Sequence, residues 1–421
     1  NVTGNITGTL VTAAQTNITS VGTLTGLTSS GPVSITNTTD SVSTTTGALI
    51  LSGGLGVTGA IYASGTIYSN GIACLTVDDD PYTTSVTPGT ASANKALIFK
   101  YGNELAKIAE RNSVNLLFEA SVGGGIPIIK SIKESLVGNK LFHIYGILNG
   151  TTNFILTEIE RTKKSFKEIL LNAQKLGYAE TNPKLDLNGD DVKSKISILS
   201  ALCFKTKIIN KSFLTEGIEQ IDLEDVEYAN KFNYKIKLLG ISEIIDNKIK
   251  QRVHPCLISK DSDLAKISGA HNAIMVEGNP VGKIVYQGLG AGKGPTTSSV
   301  ISDLNSILKG NVTLPFGFNF SDTKEFKIFD FDNHICKFYL RIVVKDKPGV
   351  LSKITSVLSK HKISIQSILQ QPLSNLKYAN LVIITHNAKE KDMKLALKKI
   401  SKEKFISKKI TMIRIRNEKK L

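Results

Sequence analysis

Tyr178, Glu180, Asp186, Asp190, Asp191, Lys193 and Lys195 fall within one short stretch that begins at Gly177. Carboxylates gathered near a lysine suit a substrate that carries an ammonium group and an oxygen in need of a proton. Glu180 and Asp186 sit on a loop leading into a helix, where Asp191 and Lys195, one turn apart, share a face. Spacing by itself favours a plainer alternative, an acidic helix start with a surface ion pair worth about 0.3–0.5 kcal/mol.

The helix that must carry Asp191 and Lys195 is predicted from about Asp190 to Phe204, with Val192, Ile196, Leu199 and Leu202 as its inner stripe. Ahead of it, Ser165-Phe166-Lys167-Glu168 is a capping box, followed by Ile169, Leu170, Ala173 and Leu176 on one face and by Gly177 as a stop. Helical periodicity also covers Tyr101 to Asn112, and Val114 to Phe118 reads as a buried strand. Further strands are expected at Tyr234 to Ile245, His254 to Ile258, Ala273 to Glu277 and Lys283 to Gln287. Together these give an α/β fold, a mixed sheet covered by helices.

The 421 residues carry 52 Lys and Arg against 36 Asp and Glu, for a net charge of +16. Every base lies at or after Lys95, and before it only Asp40, Asp78, Asp79 and Asp80 are charged. The first part therefore holds −4 and the rest +20, its 52 bases less 32 acids. Only six of the bases are Arg, the residue suited to bidentate phosphate contacts, so nucleic acid is not the expected partner. The lysines read instead as a solvated surface that attracts small anions. No apolar run is long enough to cross a bilayer, and the start has no basic residue for a secretory leader. Cys74, Cys203, Cys256 and Cys336 lie far apart without metal-ligand spacing, which points to reduced thiols in a cytoplasmic protein. The first methionine is Met275, from which a fragment or processed product is expected.

Residues 1–75 are rich in Thr, Ser and Gly, and their short β-branched runs suit stacked strands like those of viral or phage fibre repeats. Gly54-Leu55-Gly56-Val57-Thr58-Gly59 has the spacing of a dinucleotide fingerprint. That fingerprint needs a helix starting at the glycines, and the residues that follow, with Gly65 and Gly71, read as strand and turn.

The cluster around Lys195 is not alone. Taken with Ala93-Asn94-Lys95-Ala96, the run Phe118-Glu119-Ala120-Ser121-Val122-Gly123-Gly124-Gly125-Ile126-Pro127, Leu148-Asn149-Gly150-Thr151-Thr152-Asn153 and Gly288-Leu289-Gly290-Ala291-Gly292, it closely resembles the homoserine dehydrogenase family. The resemblance runs from about Asn94 to the C-terminus. It implies NADPH- or NADH-dependent reduction of L-aspartate 4-semialdehyde to L-homoserine, within threonine, methionine and isoleucine biosynthesis. Matched position by position, it gives proton transfer to Lys195 and a place beside the nicotinamide and the reacting oxygen to Lys95. Glu180, Asp186 and Asp191, with Tyr178, match the residues that hold the amino acid and order the site. Gly290 and Gly292 match a loop approaching NADP or NAD, with Lys293-Gly294-Pro295 a departure from the family pattern just beyond. The carbonyls of Glu119, Val122, Gly124 and Ile126 match a seat for a monovalent cation such as sodium, against the alternative of a plain glycine turn. Two lysines facing one carbonyl oxygen would depress each other's pKa from about 10.4 and stabilise alkoxide charge. His254 and His271 read as structural.

Phe338 to about Arg416 resembles an ACT domain, a βαββαβ amino-acid sensor. Asp346, Gly349 and Val350 lie in its first strand-to-helix loop, and the resemblance implies an amino-acid effector, typically threonine. A dimerisation module without a ligand is the alternative. The expected order is a β-rich fibre-like segment over 1–90, a remnant of the NAD(P)-binding Rossmann domain over 91–120, a catalytic and dimerisation domain over 121–320 and an ACT domain over 335–417, in a homo-oligomer. Each βαβ unit takes about 30 residues, and several would be needed between Gly54 and Lys95. The N-terminal segment is therefore expected to replace most of the nucleotide half. That leaves an inactive chimera, still able to bind amino acids, as the alternative to a working enzyme.

Overall fold

Apolar residues at helical spacing, and alternating or continuous β-branched runs between them, set up a sheet with helices packed against it. The computed structural model describes residues 67–69, 72–75, 91–210, 213–310, 312–373 and 377–416. The chain divides into two units, Asn1–Asp80 and Pro81–Leu421. In the first, the described residues form an antiparallel pair, β1 (Ile67–Ser69) and β2 (Ile72–Leu75). The Gly54–Gly59 motif and the Thr-rich repeats before Ile67 lie outside the described residues.

The second unit opens with α1 (Ala91–Arg111), α2 (Ile128–Lys130), β3 (Lys140–Ile147), α3 (Gly150–Thr162), α4 (Phe166–Lys175), α5 (Lys184–Leu187), α6 (Asp190–Phe204) and α7 (Leu223–Lys231). Four long strands follow, β4 (Tyr234–Ile245), β5 (Lys248–Ser259), β6 (His271–Asn279) and β7 (Gly282–Leu289), then α8 (Lys293–Leu308) and β8 (Lys327–Ile328). The last part is β9 (Ile335–Lys345), α9 (Val350–Lys360), β10 (Ile365–Pro372), β11 (Tyr378–Thr385), β12 (Ala388–Lys389), α10 (Glu390–Ile400) and β13 (Thr411–Ile415).

The predicted stripe of α6 faces the sheet: Val192, Ile196, Leu199 and Leu202 are buried in one core with Leu238 and Val253. The opposite sheet face buries Tyr145, Ile147, Leu239, Ile241, Cys256 and Met275. The capping box holds α4, with Ser165 and Glu168 bonded reciprocally, and Gly177 (φ +77°) takes the left-handed turn that ends it. One expectation fails. Residues 114–118 join no ladder among the described residues, because a buried parallel strand needs flanking strands and none lies there. Lys293-Gly294-Pro295, the departure from the family pattern, forms the first turn of α8, where a proline's missing N–H has no intrahelical partner to lose.

The ACT-like part does not have a sheet of its own. Strand order is β10-β11-β9-β13-β5-β4-β3-β6-β7, so its strands and the catalytic ones form a single sheet through the parallel pair Arg414↔Cys256 and Ile415↔Leu257. Ion pairs reinforce the seam. Arg341 on β9 reaches Asp225 (2.7 Å), Glu224 (2.8 Å) and Asp222 (2.9 Å) at the start of α7, and Tyr339 also donates to Asp225. Asp225 is fully buried, and a buried carboxylate left without its partner costs about 3–5 kcal/mol. Arg414 on β13 bridges Glu216 (2.7 Å) and Glu390 (2.6 Å). Cys203, Cys256 and Cys336 are free and buried. Among the described residues no group of His, Cys, Asp and Glu could hold a metal ion, and no helix is long and apolar enough to cross a membrane.

Candidate active site

Asn149 begins the site. Its side-chain oxygen accepts the Thr152 N–H at 2.8 Å and so caps α3, which fixes the orientation of the amide. The same amide's nitrogen then donates to Asp186 (2.7 Å) on α5 and to Asp191 (2.9 Å) in the first turn of α6. One side chain thereby ties three helix starts together. Lys195, one turn along α6, reaches Asp191 at 2.9 Å and donates to the Leu148 carbonyl at 2.8 Å. Lys95, on the distant α1, hydrogen-bonds the other oxygen of Asp191. Both ammonium groups are largely shielded, Lys95 being 15% and Lys195 13% exposed. The surface ion-pair alternative is thus excluded by burial.

The electrostatics differ from the expected mutual depression of two lysines. Burial is the largest single influence on Lys95 and pulls its pKa down, but Asp191, then Asp186 and Glu180, outweigh it and the net shift is upward. A carboxylate stands between the two ammonium groups. Asp191 is correspondingly held well below the usual carboxylate range, its burial overcome by Lys195 and Lys95. Asp186 moves the other way, raised first by burial and then by the negative charge of Asp191. Glu180 lies exposed on the loop after α4, close enough to act on Lys95. Tyr178 is also exposed; its ring stacks on Phe154 at 4.6 Å and its carbonyl accepts the Thr151 hydroxyl at 2.6 Å.

The glycine loops lie together in a second region. A Cβ on Gly124 would fall 2.5 Å from the Gly290 backbone, and one on Gly290 would fall 1.9 Å from Asn272 Nδ2, so only glycine permits this approach. Gly292 (φ +115°) precedes α8 without a side-chain cap. Both polar atoms of the Asn272 amide are buried and lack a partner among the described residues. The cation seat is a poor fit. The Gly124 carbonyl accepts the Ser299 hydroxyl (2.6 Å) and the Ile126 carbonyl accepts the Ile128 N–H (2.7 Å), so two of the four carbonyls are already engaged. Val122 is buried, and the visible work of the segment is done by Glu119. Its carboxylate caps α2 through the Ile129 (2.9 Å) and Lys130 (2.7 Å) amides, and its own N–H meets Asp303 of α8 at 2.9 Å.

Burial raises the Glu119 carboxyl to about 7 despite those two amides. Between the ordinary 4.5 and about 7 the folded chain keeps a proton that the unfolded chain releases. The contribution is therefore present at low pH and lost as pH rises through 7. Relative to Glu119→Gln, the native chain should lose stability between about pH 5 and pH 8; urea melts that show a constant difference across that range refute the assignment.

Asp346, Gly349 and Val350 do come together. They line a cleft of about 360 Å³ with Gln370 and Leu381, and Gln370 donates to Asp346 at 2.9 Å. Gly349 (φ +84°) precedes α9, whose Ile354, Val357 and Leu358 are buried as the spacing predicts. His254 is buried with its pKa held well below normal, first by burial and then by Arg414 and Arg252, and His271 is exposed; neither touches the lysine site. Leu148 and Asn149 lie in a run that carries the family resemblance, and the structure adds a positioning role that the resemblance does not assign to them. The available signal was an Asn directly before Gly150-Thr151-Thr152, a helix N-cap signature.

These features define a catalytic domain joined to an amino-acid-sensing module. The family model for homoserine dehydrogenase matches residues 127–304, and that for the ACT domain matches residues 338–405. The homoserine dehydrogenase of Neisseria gonorrhoeae is 39% identical over 330 residues, covering 77% of this chain and 76% of that protein, and the Helicobacter pylori enzyme is 39% identical over 326 residues, with 77% and 76% covered. A crystal structure of the Thiobacillus denitrificans enzyme superposes with a TM-score of 0.71 at 38% identity, covering 77% of this chain and 75% of that one. The chain belongs to the homoserine dehydrogenase family and is an oxidoreductase with a C-terminal ACT domain.

Proposed function

We propose that this chain reduces L-aspartate 4-semialdehyde to L-homoserine with NADPH or NADH, using Lys195 as the proton donor. The supporting observation is the shielded Lys95–Asp191–Lys195 group, held at the convergence of three helix starts by Asn149. Asp186 and Glu180 offer negative charge for the substrate's ammonium, with Tyr178 flanking the entrance. The carbonyl oxygen then lies toward the two ammonium groups, which stabilise the charge that develops on it. Lys195 hands over its proton while the Leu148 carbonyl and Asp191 keep its amine oriented. When bound, the dinucleotide supplies the hydride, and Lys95, Gly290 and Gly292 are the residues we assign to its nicotinamide end. No step is routed through a cation at Glu119, Val122, Gly124 or Ile126.

We read residues 91–120 as the tail of the nucleotide-binding domain, a reading that the unladdered 114–118 supports; the fibre-like reading of residues 1–90 falls, apart from β1 and β2, outside the described residues. On α8, Ile301 (56%), Leu304 (48%) and Ile307 (48%) present an exposed apolar face. The ACT cleft is assigned to threonine or a similar amino acid, and β7 and β10, which end the sheet among the described residues, suit a homo-oligomer. Buried free thiols fit a cytoplasmic setting. Calorimetric titration of NADPH into the whole chain tests the enzyme reading. Saturable binding is the expected result, whereas silence favours an amino-acid-binding chain without turnover.

A further inference from the structure

Residues 214–218 link the edge of β5 to the helical turn that carries Asp186. On the β5 side, the Glu216 N–H donates to the Val253 carbonyl (2.8 Å) and the Val253 N–H to the Leu214 carbonyl (2.8 Å). On the other side, the Ile218 N–H meets the carbonyl of Leu187, the residue after Asp186, at 2.9 Å. The fit there is close, since a Cβ on Gly217 would fall 1.7 Å from that same carbonyl oxygen. Helix α5 has four residues, too few to hold their own shape, and no side chain caps its start. Its place is therefore set by its neighbours, and Asp186 meets the Asn149 amide at 2.7 Å only while α5 stands within reach.

The Glu216 carboxylate is gripped in turn by Arg414 of β13 through two hydrogen bonds, of 2.7 and 3.1 Å. Arg414 is buried, and its remaining bonds go to the buried Glu390 at the start of α10 (2.6 and 3.0 Å), so its guanidinium is fixed from the ACT side. We infer that Glu216 is a positioning residue for substrate binding: held by Arg414, it keeps residues 214–218 against α5 and so fixes where Asp186 stands. The inference rests on the reading of Asp186 as an acid for the substrate's ammonium. It makes Arg414, a residue of the ACT-like part, a support of the substrate site. The other arginine of the seam has no such reach. The side-chain bonds of Arg341 go to Asp222, Glu224, Asp225 and Thr411, none of them within 214–218.

Hydrogen exchange of the whole chain is the direct test. Glu216→Gln keeps the shape and one acceptor at a side chain already 29% exposed, and it leaves Arg414 paired with Glu390, so the fold should hold. Peptides covering residues 184–189 and Ile218 should exchange about threefold faster or more, the lower end of the coupling seen between residues in contact. L-Homoserine, titrated calorimetrically as the probe, should bind about threefold to tenfold more weakly. Gly217→Ala, which sets a methyl group against the Leu187 carbonyl, should exceed both effects. Glu224→Gln, which removes a charge from the Arg341 group on the same seam, should change neither. Parental exchange in Glu216→Gln, parental L-homoserine affinity despite faster exchange, or the same acceleration in Glu224→Gln would each overturn the inference. A native chain that binds no L-homoserine would instead sink the reading of Asp186, and the exchange comparison still decides whether Glu216 holds α5.

Discussion

Lys195→Met is expected to lower turnover about 10²–10⁴-fold, the range that a positioned proton donor contributes, while the melting temperature stays close to that of the native chain. The separation of the two effects follows from the contacts. Removing the ammonium leaves Asp191 still bonded to Lys95 and to the Asn149 amide, so no buried carboxylate is stranded. Methionine fills a similar volume along α6. Lys95 cannot take over the proton transfer, because its pKa is raised and it is anchored on α1 to the far oxygen of Asp191. Steady-state rates at saturating aldehyde and nucleotide, with a thermal melt alongside, provide the check. Turnover within a fewfold of the native chain would remove Lys195 from the chemistry and leave it a structural role on Leu148.

What could be read in the sequence was local. Helix α6 was visible because Val192, Ile196, Leu199 and Leu202 repeat at helical spacing, and α4 because both halves of its capping box lie within one turn. The strands β4, β6 and β7 showed as apolar runs between turns. The long-range relations did not show. Asn149 contacts Asp186 and Asp191 only after three helix starts converge, and no single-sequence pattern encodes that meeting. The same holds for Arg414, whose seam depends on β13 lying parallel beside β5 rather than closing a separate ACT sheet. Val114 to Phe118 has the composition of a buried strand, yet a strand exists only with neighbours, and none of the described residues provides one. The upward shift of Lys95 has a related origin: two lysines facing one oxygen would depress each other, but the depth of Asp191 between them is a property of packing.

Asp191→Asn should cost about 3–5 kcal/mol of stability near neutral pH and abolish most activity. The substitution keeps the shape and one acceptor oxygen, so the loss measures charge. Asp191 is 7% exposed, and without its charge the Lys95 and Lys195 ammonium groups face each other with only Asp186 and Glu180 to offset them. In the native chain, Lys95 has a pKa above its ordinary 10.5, so its contribution is present below that value and is lost as pH rises through the higher folded one. In the variant, burial is no longer outweighed and the folded pKa drops below 10.5. The unfolded state then binds more protons than the folded state in the window beneath 10.5, and stability rises with pH there. The deficit against the native chain should consequently be largest near pH 7 and shrink toward pH 10. Urea melts at those two values decide it. An equal deficit at both would mean that Lys95 does not respond to Asp191, and the lysine pair would no longer be the contact that organises the site.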